Sequence, residues 1–324
     1  MASGTRIVSL GHYQPARVLT NAELESIVET SDAWIRSRVG IETRRIAGPD
    51  ETVDEMAAQA AEKALAASGL AARDIDLVIV ATCTNLDRSP SMSARVARRL
   101  ALPGPAVLDI NVACAGFTHA LAMADHTIRA QAATNALVIG AEKLTDVTDW
   151  TDRGICVLVG DGAGAAVVTA SDEAQIGPVH WGSVPEMSHA VRIEVRRSAD
   201  GTPDRTTVPV FSQDGQSVYR WAATQLPAIA RQACERSGVA PEELAAVVLH
   251  QANLRIIEPL ASRLGAVNAV IAKDVVESGN TSAASIPLAF SKLVERGEIQ
   301  SGAPVLLFGF GGNLSYAGQV IACP

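Results

Sequence analysis

The sequence predicts an α/β protein in which one strand–helix arrangement occurs twice. Three observations carry this. The 324-residue chain is 48% hydrophobic and only 19% charged, a balance that suits a large buried core rather than a disordered chain. Continuous apolar runs such as Val78–Val80, Val247–Leu249 and Val305–Phe308 read as strands covered by helices on both faces. Finally, three blocks recur in the same order. The strand and loop from Asp74 to Leu86 lead to a helical stretch ending ARRLAL, and those from Leu244 to Leu254 lead to one ending ASRLGA. Leu86 then falls on Leu254 (254 − 86 = 168), Leu121 of VACAGFTHALA on Leu288 of GNTSAASIPLA (288 − 121 = 167), and Gly140 on Gly309 (309 − 140 = 169). A period this long excludes a solenoid and predicts a duplicated domain, with halves at 1–172 and 173–324.

The elements follow in order. ETVDEMAAQAAEKALAASGL is an amphipathic helix that Gly69 is placed to end. Gly160–Ala165 reads as a glycine-rich structural turn. The stretch from about Glu173 to Ser212 mixes charge with glycine and proline and reads as a divergent strand–loop connection. GQSVYRWAATQLPAIARQACERSGV is a second helix, interrupted at Pro227.

Bulk properties narrow the function. A net charge of −8 argues against general nucleic-acid binding, which needs a basic face. No apolar run approaches the ~20 residues that span a bilayer, and the first residues lack a signal-peptide pattern. A cytoplasmic protein is expected, without a membrane or nucleic-acid partner. The five cysteines (Cys83, Cys114, Cys156, Cys234 and Cys323) are scattered, with no CxxC pair. Free thiols are expected, not a zinc site or a disulfide framework.

Cys114 stands where an apolar strand gives way to a helix, between Ala113, Ala115 and Gly116. A helix N-terminus favours thiolate, so a lowered thiol pKa is expected. Small neighbours let a carbonyl approach backbone N–H groups, as covalent acyl transfer requires. At the offset of 167, Cys114 falls on Thr281, with Asn280 immediately before it. His250 closes a strand in the matching block. Taken singly, a buried cysteine, a structural histidine and a turn asparagine are ordinary. Together, at strand ends of a duplicated fold, they form a nucleophile with two neutral hydrogen-bond donors for a developing oxyanion. Gly309–Asn313 lacks a phosphate-loop pattern and reads either as a tight turn or as a backbone donor beside the thiol.

DINVACAGF, LHQANLRII, SGNTSAASIP and GFGGNLSYAG resemble the type III β-ketoacyl-acyl-carrier-protein synthases of the thiolase superfamily, as do TSDAWIRSRVGIETRRIA and TDRGICVLVGDGAGAAV. The matches span nearly the whole chain in order. The resemblance implies a thiolase-like duplicated five-layer α/β/α/β/α fold and a homodimer. It also implies decarboxylating condensation of an acyl-CoA starter with malonyl-acyl carrier protein, initiating fatty-acid synthesis. Cys114 would carry the acyl group. His250 and Asn280 would stabilise the enolate, and backbone N–H groups of Cys114 and Gly312 the later oxyanion. No metal or redox cofactor is implied.

By the same resemblance, Trp34 and Arg153 would hold the adenine of CoA between them, with Thr30 and Arg38 as further contacts. Arg220, Arg255 and Arg263 would receive the acidic carrier protein, although a solvated helix face explains Arg220 and Arg255 equally. Three departures bear on specificity. Asn313 replaces a third glycine, Ser89 stands where some members place an aromatic closing the acyl pocket, and Ser262 replaces a common docking lysine. Two rival readings share the fold. One is a priming ketosynthase or acyltransferase of polyketide or antibiotic assembly, and the other is a non-catalytic acyl-CoA-binding protein.

Overall fold

A computed structural model describes residues 4–198, 200–204 and 206–324. From the N-terminus, β1 (Gly4–Tyr13) leads to the ribbon of β2 (Val18–Thr20) and β3 (Thr43–Arg45), which brackets α1 (Asn21–Leu24) and α2 (Asp32–Val39). Next come α3 (Val53–Ser68), β4 (Leu77–Ala81), α4 (Met92–Arg99), β5 (Ala106–Ile110), α5 (Gly116–Arg129), β6 (Asn135–Lys143) and β7 (Asp161–Ser171). After β8 (His180–Gly182), a second ribbon forms from β9 (Val191–Glu194) and β10 (Val210–Gln213). The chain continues through α6 (Gly215–Thr224), α7 (Leu226–Arg236), β11 (Ala246–Leu249), α8 (Leu254–Leu264), β12 (Val270–Ile271), α9 (Val275–Ser278), α10 (Ser285–Glu295), β13 (Pro304–Phe310) and β14 (Tyr316–Ala322).

The strands form two five-stranded sheets of one topology, β5-β4-β6-β7-β1 and β12-β11-β13-β14-β8. In each, the first three strands run parallel and the last two join antiparallel. The central helices α5 and α10 each touch both sheets. α3 and α4 cover the outer face of the first sheet, and α7, with α8 packed on it, covers that of the second. The result is the expected five-layer α/β/α/β/α arrangement. Every residue of β4 and β11 is buried, which explains their unbroken apolar sequences. Among the described residues, no helix is long and apolar enough to cross a membrane.

The repeat is more regular than the sequence offsets indicate. β4 and β11 begin at Leu77 and Ala246, β6 and β13 at Asn135 and Pro304, and α5 and α10 at Gly116 and Ser285, each pair 169 apart (246 − 77 = 169). Two 3₁₀ turns, 113–115 and 282–284, keep the same interval, and their first residues share a left-handed backbone, with φ of +45° at Ala113 and +47° at Ser282. This corrects the sequence alignment by two positions in that block. The counterpart of Cys114 is Ala283, not Thr281, and the counterpart of Asn280 is Asn111. The backbone N–H groups of Ala113 and Ser282 are donated to Asn111 Oδ1 (3.4 Å) and Asn280 Oδ1 (2.8 Å), the same side-chain turn in both repeats. The shared alanines and serines masked this register.

Two other expectations shift. Asp161–Ala165 is not a turn but the start of β7, whose glycines lie under close neighbours: a Cβ on Gly164 would meet Leu288 N at 2.5 Å. The break between α6 and α7 falls at Gln225, and Pro227 sits in the first turn of α7, where its missing N–H costs nothing. Gly69 ends α3 in a left-handed conformation as expected.

The two repeats meet where Gly140 of β6 lies against the 282–284 turn. A Cβ at Gly140 would stand 2.2 Å from Ala283 O and 2.8 Å from its carbonyl carbon, backbone atoms that cannot rotate away. Gly140→Ala is expected to lower unfolding free energy by about 1–3 kcal/mol, the usual cost of overpacking. Urea denaturation followed by circular dichroism checks this, and an unchanged midpoint would contradict it.

Candidate active site

The turn 113–115 places Cys114 between β5 and α5, and its thiol opens onto two cavities. The first, about 270 Å³, runs from Trp34, Arg38 and Arg153 down to Cys114, His250 and Asn280. The second, about 680 Å³, continues beyond the thiol past Cys83, Asn111, Ser282 and Asn313. The three residues singled out from sequence therefore share one tunnel.

The expectation of an acidic thiol is overturned. Burial pushes the Cys114 thiol up to about 11, and the Glu142 carboxylate adds to the rise. The Ser282 hydroxyl and the backbone N–H groups of Gly312 and of Cys114 itself act the other way, without winning. Desolvation of a single sulfur in this junction outweighs the partial charge of one helix end. The two backbone N–H groups that lower the thiol pKa are those expected to hold an oxyanion.

His250 follows β11 and is almost wholly buried. Burial alone lowers its pKa to about 3, so the imidazole is neutral at physiological pH. Its Nδ1 lies 2.8 Å from Ser285 Oγ, which also accepts the Gln251 N–H at 3.3 Å. With one lone pair of that oxygen engaged, its hydroxyl proton is available to Nδ1. With the hydroxyl as donor to Nδ1, the ring proton sits on Nε2. The ring stands edge-on to Phe310, centroids 5.3 Å apart. Asn280 is fixed by its own backbone, donating to Leu158 O (2.8 Å) and accepting from Gly160 N (2.9 Å). Its Oδ1 is occupied by the Ser282 N–H, which leaves Nδ2 as a donor.

At the outer end, α2 is capped by Ser31, whose hydroxyl accepts the Trp34 N–H at 3.2 Å. The Arg153 guanidinium lies over the Trp34 ring, 5.2 Å from its centre, and that of Arg38 at 6.0 Å. A base held between Trp34 and Arg153 needs roughly 7 Å, twice a ~3.5 Å stacking contact, so the slot is closed in this structure. Thr30 lies outside the tunnel lining, with its hydroxyl buried and unpartnered; its neighbour Glu29 accepts from Arg153 at 3.2 Å. Arg255 lines the tunnel mouth. Arg220 and Arg263 are exposed on the contacting helices α6 and α8, and Arg263 donates to Ala223 O.

Asn313 is exposed on the second cavity in a left-handed conformation (φ +59°) that asparagine tolerates. Ser89 is exposed on this chain and lines neither cavity; Asn85 and Leu86 of its loop line the second. The loop turns outward after Leu86, carrying Ser89 to the surface.

Sequence reasoning passed over Ser282, Glu142 and Phe310. The correct register of the repeat would have flagged Ser282, which pairs with the residue before the nucleophile. A lone glutamate after an apolar strand carries no such signal.

Gly311 lies against the nucleophile, where an added Cβ would stand 2.5 Å from Cys114 Cβ and 2.9 Å from Sγ. Gly311→Ala is expected to push the sulfur away from the Gly312 N–H. Hydrogen bonds to charged groups are worth about 1.5–3 kcal/mol, so alkylation of Cys114 at fixed pH should slow about tenfold or more. Peptide-resolved mass spectrometry after iodoacetamide treatment measures it, and an unchanged rate would count against the assigned contact.

Comparisons with known proteins point to one family. Residues 108–185 match the family model for 3-oxoacyl-[acyl-carrier-protein] synthase III, and residues 234–323 match the model for its C-terminal part. A β-ketoacyl-[acyl-carrier-protein] synthase III of Streptomyces avermitilis is 72% identical, over 99% of this chain and 100% of its own length. Among solved structures, the priming β-ketosynthase of the R1128 polyketide pathway superimposes with a TM-score of 0.95 at 38% identity, covering 100% of this chain and 97% of that one. The 3-oxoacyl-[acyl-carrier-protein] synthase III of Aquifex aeolicus superimposes with a TM-score of 0.89, also at 38% identity, over 98% and 100%. A thiol, an imidazole and a carboxamide in one tunnel, on a duplicated fold aligned over its full length with a 72% identical relative, leave one assignment: the chain belongs to the β-ketoacyl-[acyl-carrier-protein] synthase III family, condensing acyltransferases of the thiolase fold.

Proposed function

We propose that this chain condenses an acyl-CoA starter with malonyl-acyl carrier protein, releasing carbon dioxide, through an acyl group carried on Cys114. The observation that carries the reading is the shared tunnel of Cys114, His250 and Asn280 beneath the Trp34–Arg153 pair. The Cys114 sulfur attacks the starter thioester and CoA leaves. The malonyl thioester carbonyl then accepts hydrogen bonds from His250 Nε2 and Asn280 Nδ2. A neutral imidazole suits this step, because it stabilises the enolate as carbon dioxide departs without handing over a proton. The enolate carbon attacks the acyl-cysteine, whose carbonyl oxygen is received by the N–H groups of Cys114 and Gly312. Loss of carbon dioxide drives the sequence, so no metal or redox cofactor enters it.

CoA entry parts Arg153 from Trp34, and Arg38 remains beside the indole. Arg255 and Arg220 offer positive charge near the tunnel mouth to an acidic carrier, while Arg263 is partly held by Ala223 O. A second copy of the chain fits against β5. Among the described residues that strand pairs on one side only, with β4, and exposes Val107 and Leu108 at 42% and 41%, an edge that soluble proteins normally cover. The likeness to the priming β-ketosynthase keeps a second reading open, in which the product primes a polyketide chain. Competition between fatty-acid and polyketide carrier proteins separates the two.

Cys114→Ala is expected to abolish starter loading, read by intact mass after incubation with a panel of acyl-CoA thioesters. An unmodified wild-type Cys114 across that panel would instead favour a non-catalytic binder. Asn280→Ala is expected to cut carbon dioxide release from malonyl-carrier protein about 10²–10³-fold, the usual loss of one oxyanion donor, with starter loading largely retained. Condensation at the normal rate would remove Asn280 from the mechanism.

A further inference from the structure

Glu142 ends the apolar part of β6 and is fully buried. It has no cationic partner among the described residues; the adjacent Lys143 turns its ammonium to Gly48 O (2.8 Å) and Asp146 (3.8 Å). Its carboxylate instead gathers neutral donors. Thr84 Oγ1 lies at 2.6 Å, Thr82 Oγ1 at 3.1 Å, and the Cys83 N–H and Sγ both at 3.1 Å. Burial raises its pKa. A buried, uncompensated carboxylate is costly, and nothing in the condensation described above uses it.

The repeat explains its place. Counted by 169, Glu142 corresponds to Gly311 and Ala283 to Cys114. Gly311 lies against Cys114, and Glu142 lies in the same way against Ala283, whose N–H points to Oε1 at 3.5 Å. The chain thus holds a second, incomplete copy of its own site, in which the nucleophile is alanine and the opposing glycine is an acid. A chain of exchangeable protons joins the two. Glu142 Oε1 meets Cys83 Sγ at 3.1 Å, Cys83 Sγ meets Ser282 Oγ at 3.6 Å, and Ser282 lines the same cavity as Cys114, whose pKa its hydroxyl lowers.

We propose that Glu142 is the proton-holding residue of the nucleophile, reached through Ser282 and Cys83. When Cys114 loses its proton, Ser282 Oγ takes it, the Ser282 hydroxyl proton passes to Cys83 Sγ, and the Cys83 proton passes to the Glu142 carboxylate. Thiolate and neutral carboxyl form together. The thiolate attacks the starter, the carbon–sulfur bond to CoA breaks, and the CoA thiolate takes a proton from solvent. When condensation expels Cys114 as thiolate, the Glu142 proton returns along the same chain. Glu142 touches no substrate and acts as a positioning residue for this proton. The step rests on Cys114 being the acyl carrier.

A coupled pair leaves a signature in titration. Around Cys114 the titratable and charged groups are Glu142, Cys83 and His250, with His189, Arg192 and Glu194 along the second cavity and Arg38, Arg153, Tyr219 and Arg255 along the first. While Glu142 is neutral, Cys114 ionises more readily; once Glu142 is charged, it ionises less readily. Iodoacetamide alkylation of Cys114, followed by peptide-resolved mass spectrometry across pH, should therefore rise, flatten over about one pH unit or more, and rise again. Glu142→Gln should give a single rise of about tenfold per pH unit. It should match wild type below the flat segment and exceed it about tenfold or more above. A single rise in the wild-type enzyme overturns the proposal without need of any variant. So does a flat segment that survives in Glu142→Gln, which would assign the coupling to another group. Alkylation needs no substrate, so failure of starter loading sinks the acyl-carrier reading while the titration still tests the Glu142 link.

Discussion

The packing of two strained turns across the pseudo-twofold relation is the constraint on which the site depends. Ala113 and Ser282 both adopt a left-handed backbone that non-glycine residues normally avoid. Their turns contact each other, and each is tied by an asparagine side chain two residues before it. Strain of this kind persists only where the surroundings over-determine it. Here the surroundings are the two central helices that start directly after the turns and the glycines of β6 and β13 that admit them. The nucleophile is thereby held at a junction that neither repeat could form alone.

Burial then sets the chemistry. The same loss of water pushes the Cys114 thiol up and the His250 imidazole down, so both groups rest neutral. A resting thiolate–imidazolium pair is not what this site holds. On the proposed mechanism a neutral histidine would be an advantage, since a protonated ring would quench the carbanion it stabilises. The site relies on placed donors rather than on stored charge, consistent with electrostatic preorganisation as a large source of rate enhancement.

Much of this was legible in the sequence, and the rest was hidden for identifiable reasons. The apolar runs of β4, β11 and β13 and the glycine end of α3 depend on local rules and read correctly. The duplication was visible, but its register slipped by two residues around Cys114, because VACAGF and TSAASI offer nearly interchangeable small side chains. The start of β7 read as a turn because glycine and alanine there serve close packing of α10 rather than chain reversal. The thiol pKa was misjudged because a helix end is visible in sequence and desolvation is not. Cys114, His250 and Asn280 were recoverable because strand ends in a duplicated fold converge. Glu142 was not, since its neighbours lie 58 to 60 residues away along the chain and across the repeat.

The guanidinium of Arg153 resting on the Trp34 indole has a consequence for who is admitted. An entrance shut by a cation–aromatic contact is opened by a guest able to wedge the two apart, and a flat nucleobase is such a guest. A short thioester without a nucleotide handle has nothing with which to do so. On the proposed reading the doorway would inspect the far end of the visitor rather than its cargo, and the choice of acyl chain would fall to the chamber beyond the sulfur.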